Sequence, residues 1–221
     1  MTGALAPATP VELPTAARSA ATQGTASFEQ IRGAAAGCRA CHLWSRATQT
    51  VFGQGPVPAR LMLVGEQPGD REDVEGEPFV GPAGRILAEA LEAAGIDRTD
   101  VFVTNVVKHF KWRPSPGGKR RLHERPDRAE VGACLPWVES ELALVRPEAL
   151  VLLGATAAQG LLGPDIQVTR DRGHPIASDR APLVLVTIHP SSVLRARDSE
   201  ARAEGLASLV ADLQLAARAI A

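Results

Sequence analysis

At 221 residues the chain is long enough for one domain with a full hydrophobic core, and 45% apolar against 22% charged residues is an ordinary globular composition. No apolar run reaches the ~18 residues that a membrane span needs. The first residues have no basic start and no continuous apolar stretch, so no secretory signal is expected and the expected location is cytoplasmic. The formal net charge of −1 neither favours nor excludes nucleic acid, whereas three cysteines, an odd number, point to metal or chemistry rather than disulfides.

In chain order, residues 1 to about 25 are rich in Ala, Pro and Thr without apolar periodicity. They read as a disordered tail, which leaves 26–221 as the single domain. A first apolar run, RLMLV (60–64), reads as a buried strand. An acidic stretch from Glu66 to Glu77 follows. A helical pattern then runs from Pro82, suited to a first turn, to Ala94, before a stop at Gly95. The second strand is VFVTNVV (101–107). From Lys108 to Arg128 eight basic residues stand against Glu124 and Asp127; this reads as a phosphate-binding rim or as a solvated loop. Helical patterns over about 128–145, 155–162 and 199 to the end alternate with strands ALVLL (149–153) and LVLVTI (183–188). Strands alternating with helices predict an α/β fold, a three-layer α/β/α sandwich around a four-stranded, mostly parallel sheet. Each strand ends in a small or polar cluster: Gly65 to Gly69, Asn105, Gly154-Ala155-Thr156, and His189-Pro190-Ser191-Ser192. In open α/β sheets ligands bind at the carboxyl ends of the strands, so the four clusters predict one pocket.

Cys38 and Cys41 form a C-x-x-C, and His42 completes the pattern of haem attachment, a chemistry of exported proteins. Zinc would want a second C-x-x-C, and Cys134 lies far away. An iron–sulfur cluster accepts dispersed ligands, with His sometimes replacing a Cys.

GEQPGDREDVEGEPFVGPAGRIL (65–87), VTNVVK (103–108), CLPW (134–137) and HPSS (189–192) resemble the iron–sulfur, family 4-like branch of the uracil-DNA glycosylase superfamily. The insert GGKRRLH (117–123) is similar to the KRRIH loop of the UdgX-type branch, whose members bond covalently to uracil-containing DNA, with Leu122 in place of Ile. The resemblance implies the uracil-DNA glycosylase fold, a monomer and uracil-containing DNA, single-stranded or flipped out, as partner. It further implies a structural 4Fe–4S cluster held by Cys38, Cys41, Cys134 and, where relatives carry the fourth Cys, His109. Phe79 would stack on the uracil ring, over a backbone site at Gly65. Asn105 would accept from the imide N–H and donate to the adjacent carbonyl, a pattern that cytosine reverses. His189 would donate to a uracil carbonyl and stabilise the departing anion. Glu66 would assist the nucleophile or the sugar cation, and Gln67 would position substrate or water. Ser191, Ser192, Lys119, Arg120 and Arg121 would contact DNA, Arg121 also holding the loop. His123, its imidazolium disfavoured by the preceding cations, would attack the anomeric carbon and stop turnover after one event. The alternatives are a conventional multiple-turnover glycosylase using water, and a non-catalytic DNA-binding or redox-sensing iron–sulfur module.

Overall fold

The computed structural model describes residues 9–221. In chain order the elements are α1 (Leu13–Thr22), α2 (Phe28–Ala35), β1 (Leu61–Gly65), α3 (Asp70–Glu75), α4 (Pro82–Ala93), β2 (Val101–Asn105), β3 (Trp112–Pro114), β4 (Arg121–His123), α5 (Arg128–Val145), β5 (Ala149–Leu153), α6 (Ala155–Leu162), α7 (Val168–Asp171), β6 (Leu183–Thr187), α8 (Pro190–Leu194) and α9 (Ser199–Ala219). The four apolar runs pair in the order β2-β1-β5-β6, all parallel, while β3 and β4 form a separate antiparallel ribbon. The expected α/β fold with a four-stranded sheet between helices is therefore present.

Period-two alternation explains why these strands are apolar throughout. Met62, Val64, Phe102, Leu150, Leu152, Val184 and Val186 point into one core, shared with α1, α2, α5 and α6. Leu61, Leu63, Val101, Val103, Val151, Leu153 and Leu185 point into the other, against α4 and α9. Helix ends follow their caps: Pro82 opens α4, and Asp127 with Glu130 forms a capping box at α5. The second strand is shorter than predicted. After Asn105 the backbone turns over the neighbouring strand, Val106 N–H donating to Gly65 O and Val107 N–H to Glu66 O.

The expectation of a disordered tail is corrected for the described residues. Leu13–Thr22 is a helix that buries Pro14, Ala17 and Ala21. Arg18 pairs with Glu139 of α5 at 2.8 Å. Alanine contributes little apolar contrast yet permits close helix packing, so the buried face leaves a weak sequence signal. Residues 1–8 of the expected tail lie outside the described residues.

Candidate functional site

Parallel pairing delivers the carboxyl ends of all four strands to one rim. Gly65 ends β1 there and leaves room that no other residue would. A Cβ at Gly65 would lie 2.4 Å from Asn105 Oδ1 and 2.6 Å from Phe79 Cζ. The Asn105 amide and the Phe79 ring thus close over the same glycine. Phe79 adopts φ +59, the left-handed region that a bulky residue rarely takes. Two features hold it. Glu72 accepts from Gly69 N–H (3.1 Å) and Gly81 N–H (2.8 Å), clamping both ends of the loop. Gly84 has no side chain to collide with Phe79 O, which would stand 1.7 Å from a Cβ.

Asn105 is pinned from below. Lys108, wholly buried, donates from Nζ to Asn105 O (2.7 Å), Thr104 Oγ1 (2.6 Å) and Glu141 Oε2 (2.6 Å). Glu141 also accepts Gly53 N–H at 2.8 Å. Burial raises the Glu141 carboxyl, and Lys108 opposes that rise.

His189 ends the turn after β6, its ring centroid 6.3 Å from that of Phe79. Its Nδ1 accepts Ser191 N–H at 3.1 Å and lies 2.8 Å from Ser191 Oγ. A backbone N–H can only donate, so Nδ1 is the acceptor and Nε2–H remains as the donor. Desolvation first, then the charge of Arg195, lowers His189 to about 4, so the ring is neutral at neutral pH. Ser191 and Ser192 are engaged in this turn, Ser192 Oγ donating to His189 O at 2.7 Å.

Glu66, Gln67 and His123 meet beside this rim. Gln67 is buried and reads the ribbon backbone. Its Oε1 accepts Lys111 N–H (2.9 Å), and its Nε2 donates to Glu124 O (2.9 Å) and approaches His123 Nε2 at 2.8 Å. Lys111 fixes the amide orientation, so His123 Nε2 faces an N–H donor and carries a lone pair. Glu66 Oε1 stands 3.3 Å from the same nitrogen. The other Glu66 oxygen accepts from Thr156 Oγ1, which in turn accepts Arg125 Nε at 3.0 Å. The His123 pKa is lowered, first by desolvation and further by Arg195, against the pull of Glu66. Burial and Arg195, not the preceding cations as the sequence suggested, favour the neutral ring.

The basic segment is largely neutralised within the fold. Arg121 bonds Asp70 Oδ1 and Asp73 Oδ2, both at 2.5 Å. It therefore holds the ribbon against α3 and is no free phosphate contact. Lys111 pairs with Glu130 at 2.8 Å and Arg113 with Glu124 at 3.5 Å. Among the described residues Lys119, Arg120 and Arg128 have no carboxylate partner.

Of the proposed metal ligands, Cys38 and Cys134 are buried and Cys41 is partly so. Cys38 Sγ accepts Trp137 Nε1–H at 3.1 Å, and Cys134 Sγ accepts Lys108 N–H at 3.2 Å. Burial pushes the Cys134 thiol up to about 12, against the opposing charge of Lys108. His109 faces elsewhere with one nitrogen: Thr50 Oγ1 donates to Ala35 O, so the contact at 2.9 Å has His109 Nε2–H donating to Thr50, leaving Nδ1 with its lone pair. Among the described residues no group of three or more His, Cys, Asp or Glu side chains is arranged to hold a metal ion. Three sulfurs and an imidazole nitrogen are the right donor chemistry for an iron–sulfur cluster, but these side chains do not close on a common centre.

Sequence reasoning missed Thr156, Arg125, Arg195 and Glu72. Thr156 was visible as part of a strand-end cluster, but its role depends on Glu66, distant in the chain; Arg195 was visible as the first cation beyond HPSS, and it acts on the nearby Ser191 and His189 as well as on the distant His123.

A fully parallel sheet whose carboxyl rim carries Gly65, Asn105, Phe79, His189 and Glu66 defines an α/β protein with its polar and aromatic side chains gathered at one end of the sheet. Residues 52–214 match the family described as Uracil DNA glycosylase superfamily, and the chain belongs to that superfamily. It is 39% identical over 166 residues to the Type-4 uracil-DNA glycosylase of Thermotoga maritima, covering 75% of this chain and 82% of that protein. It is 34% identical over 176 residues to the Type-4 uracil-DNA glycosylase of Sulfurisphaera tokodaii, covering 76% of each. A third relative of that name, from Pyrobaculum aerophilum, is 37% identical over 167 residues, with 72% of this chain and 80% of that protein covered. These relatives carry the Type-4 name and lend no support to a particular closeness to the UdgX-type branch.

Proposed function

We propose that this chain acts in DNA repair by excising uracil from DNA, hydrolysing the N-glycosidic bond of a deoxyuridine that is single-stranded or flipped out of the duplex. The supporting observation is the meeting of the Asn105 amide, the Phe79 ring and a neutral His189 donor around Gly65, with Glu66 alongside. Extrusion of the nucleotide costs a few kcal/mol. Phe79 stacks on the ring, and Asn105 reads the imide edge. As the C–N bond breaks, its electron pair passes to the uracil ring, and His189 Nε2–H stabilises the developing oxyanion. Glu66, held by Thr156, faces the positive sugar and orients a water whose oxygen bonds to the anomeric carbon; Glu66 takes the proton that the water sheds, and that proton passes on to the departed uracil anion. Hydrolysis with repeated turnover agrees with the names of the Type-4 relatives.

A second reading rests on one observation, the His123 Nε2 lone pair held 3.3 Å from Glu66 Oε1. A neutral imidazole there is a nucleophile, and its bond to the anomeric carbon would end in a protein–DNA adduct. Cys38, Cys41, Cys134 and His109 have the donor chemistry of an iron–sulfur ligand set but, as arranged here, do not close on a common centre.

Uracil release from single-stranded DNA, counted per protein molecule and followed by denaturing electrophoresis, tests these readings. Hydrolysis predicts release in excess of protein and no band that survives denaturation. A surviving band that His123→Ala abolishes establishes the second reading. His189→Ala is expected to slow release on the order of 100–1,000-fold. Equal background release by the two proteins would leave a non-catalytic DNA-binding module.

A further inference from the structure

Of the three tryptophans, Trp137 is fully buried, whereas Trp44 is 40% exposed and Trp112 half-buried. Each of the two outer indoles lies under a guanidinium from the same short segment. Arg39 Cζ stands 4.5 Å from the Trp44 ring centroid, and Arg46 Cζ 4.5 Å from that of Trp112. Both arginines are exposed, and among the described residues neither has a carboxylate partner. The stacking holds each ring in place, and Trp112 is met by a second guanidinium, Arg121 Cζ standing 5.6 Å from its ring centroid.

The segment is continuous with the site. Trp112 Nε1–H donates to Arg46 O at 2.9 Å, and Trp112 pairs directly with His123 across the ribbon. The adjoining His42 approaches Glu130 at 3.3 Å, on the carboxylate that holds Lys111 at 2.8 Å. A path of indole faces and unneutralised cations therefore leads away from His123.

We propose that Arg39, Trp44, Arg46 and Trp112 form a track for the single-stranded DNA that flanks the uracil, the indoles stacking on bases and the arginines neutralising phosphates. The inference rests on the proposed DNA substrate. It favours a single strand because bases in a duplex keep their faces stacked on one another, whereas those of a single strand are free to meet an aromatic ring. Unpaired arginines complement the phosphates, and each phosphate neutralised adds about 0.7 to the salt slope of single-strand binding.

Binding of a uracil-free single strand of about 20 nucleotides, longer than a roughly 4–16-nucleotide site, tests the track. Trp44→Ala is expected to weaken it about 5- to 150-fold, the range for loss of one base–aromatic stack, and Trp44→Phe to retain most of the affinity. Uracil release from a trinucleotide, which lacks the flanking strand that the track would hold, should be the same in wild type and Trp44→Ala. Unchanged binding of the long strand by Trp44→Ala overturns the track, as does an equal loss for duplex and single strand. Absence of uracil release by the wild type would instead overturn the proposed activity, with the strand-binding comparison still deciding the track.

Discussion

A histidine can donate to a uracil carbonyl only if its proton sits on the nitrogen facing the pocket. At His189 that choice is made by the backbone, since Ser191 N–H occupies Nδ1. Neutrality follows from desolvation and Arg195, which bring the ring to about 4 against about 6.5 in an unfolded chain. Between those values the unfolded state binds the proton and the native state does not. The associated stability is complete above about pH 6.5 and declines as pH falls toward about 4. Denaturant unfolding across that window should show His189→Gln losing part of the slope, at most about 1.4 kcal/mol per pH unit. Identical slopes in the two proteins would contradict the neutral ring. The residue types at strand ends made Glu66, Asn105 and His189 legible from sequence. Thr156 was not given a role, because its partner Glu66 lies 90 residues earlier and nothing local marks the pair.

The end of β2 joins a reading head to its support. Lys108 and Glu141 are both fully buried, and the lysine holds the carbonyl of Asn105 itself. Removing one partner leaves a charge in the core, so Lys108→Met is expected to cost about 3–5 kcal/mol. Adding Glu141→Leu should recover part of that loss, and thermal unfolding of the single and double variants measures it. A double variant no more stable than the single one would show that the charge is not what matters. Lys108 reads in sequence as one more cation of a basic loop, which is why its burial was not foreseen. The four sheet strands and α4, α5, α6 and α9 were legible from apolar runs and caps. The ribbon of β3 and β4 was not: three residues per strand carry no period, and their pairing depends on Gln67 and on Trp112 packing with Arg46.

At the scale of the whole chain, the described N-terminal helix Leu13–Thr22 packs on the rest of the fold. Helix α1 lays Ala17 and Ala21 against α5, the helix that also carries Cys134 and Glu141. Deleting residues 1–25 should lower the unfolding midpoint while leaving the KM for a short uracil substrate unchanged, because among the described residues none of that segment lies at the rim. A truncated protein as stable as the full chain would show the helix to be dispensable.

The ribbon that carries His123 is fastened twice, at its base by Gln67 and along its side by Arg121 on Asp70 and Asp73. Gly117 and Gly118 at its tip, both with positive φ and open space around them, are the places where it can give. It serves as a doorpost rather than a door. On the proposed function that wall would stand ready before any nucleotide arrives, and the bending required for entry would fall on the incoming strand instead of the protein.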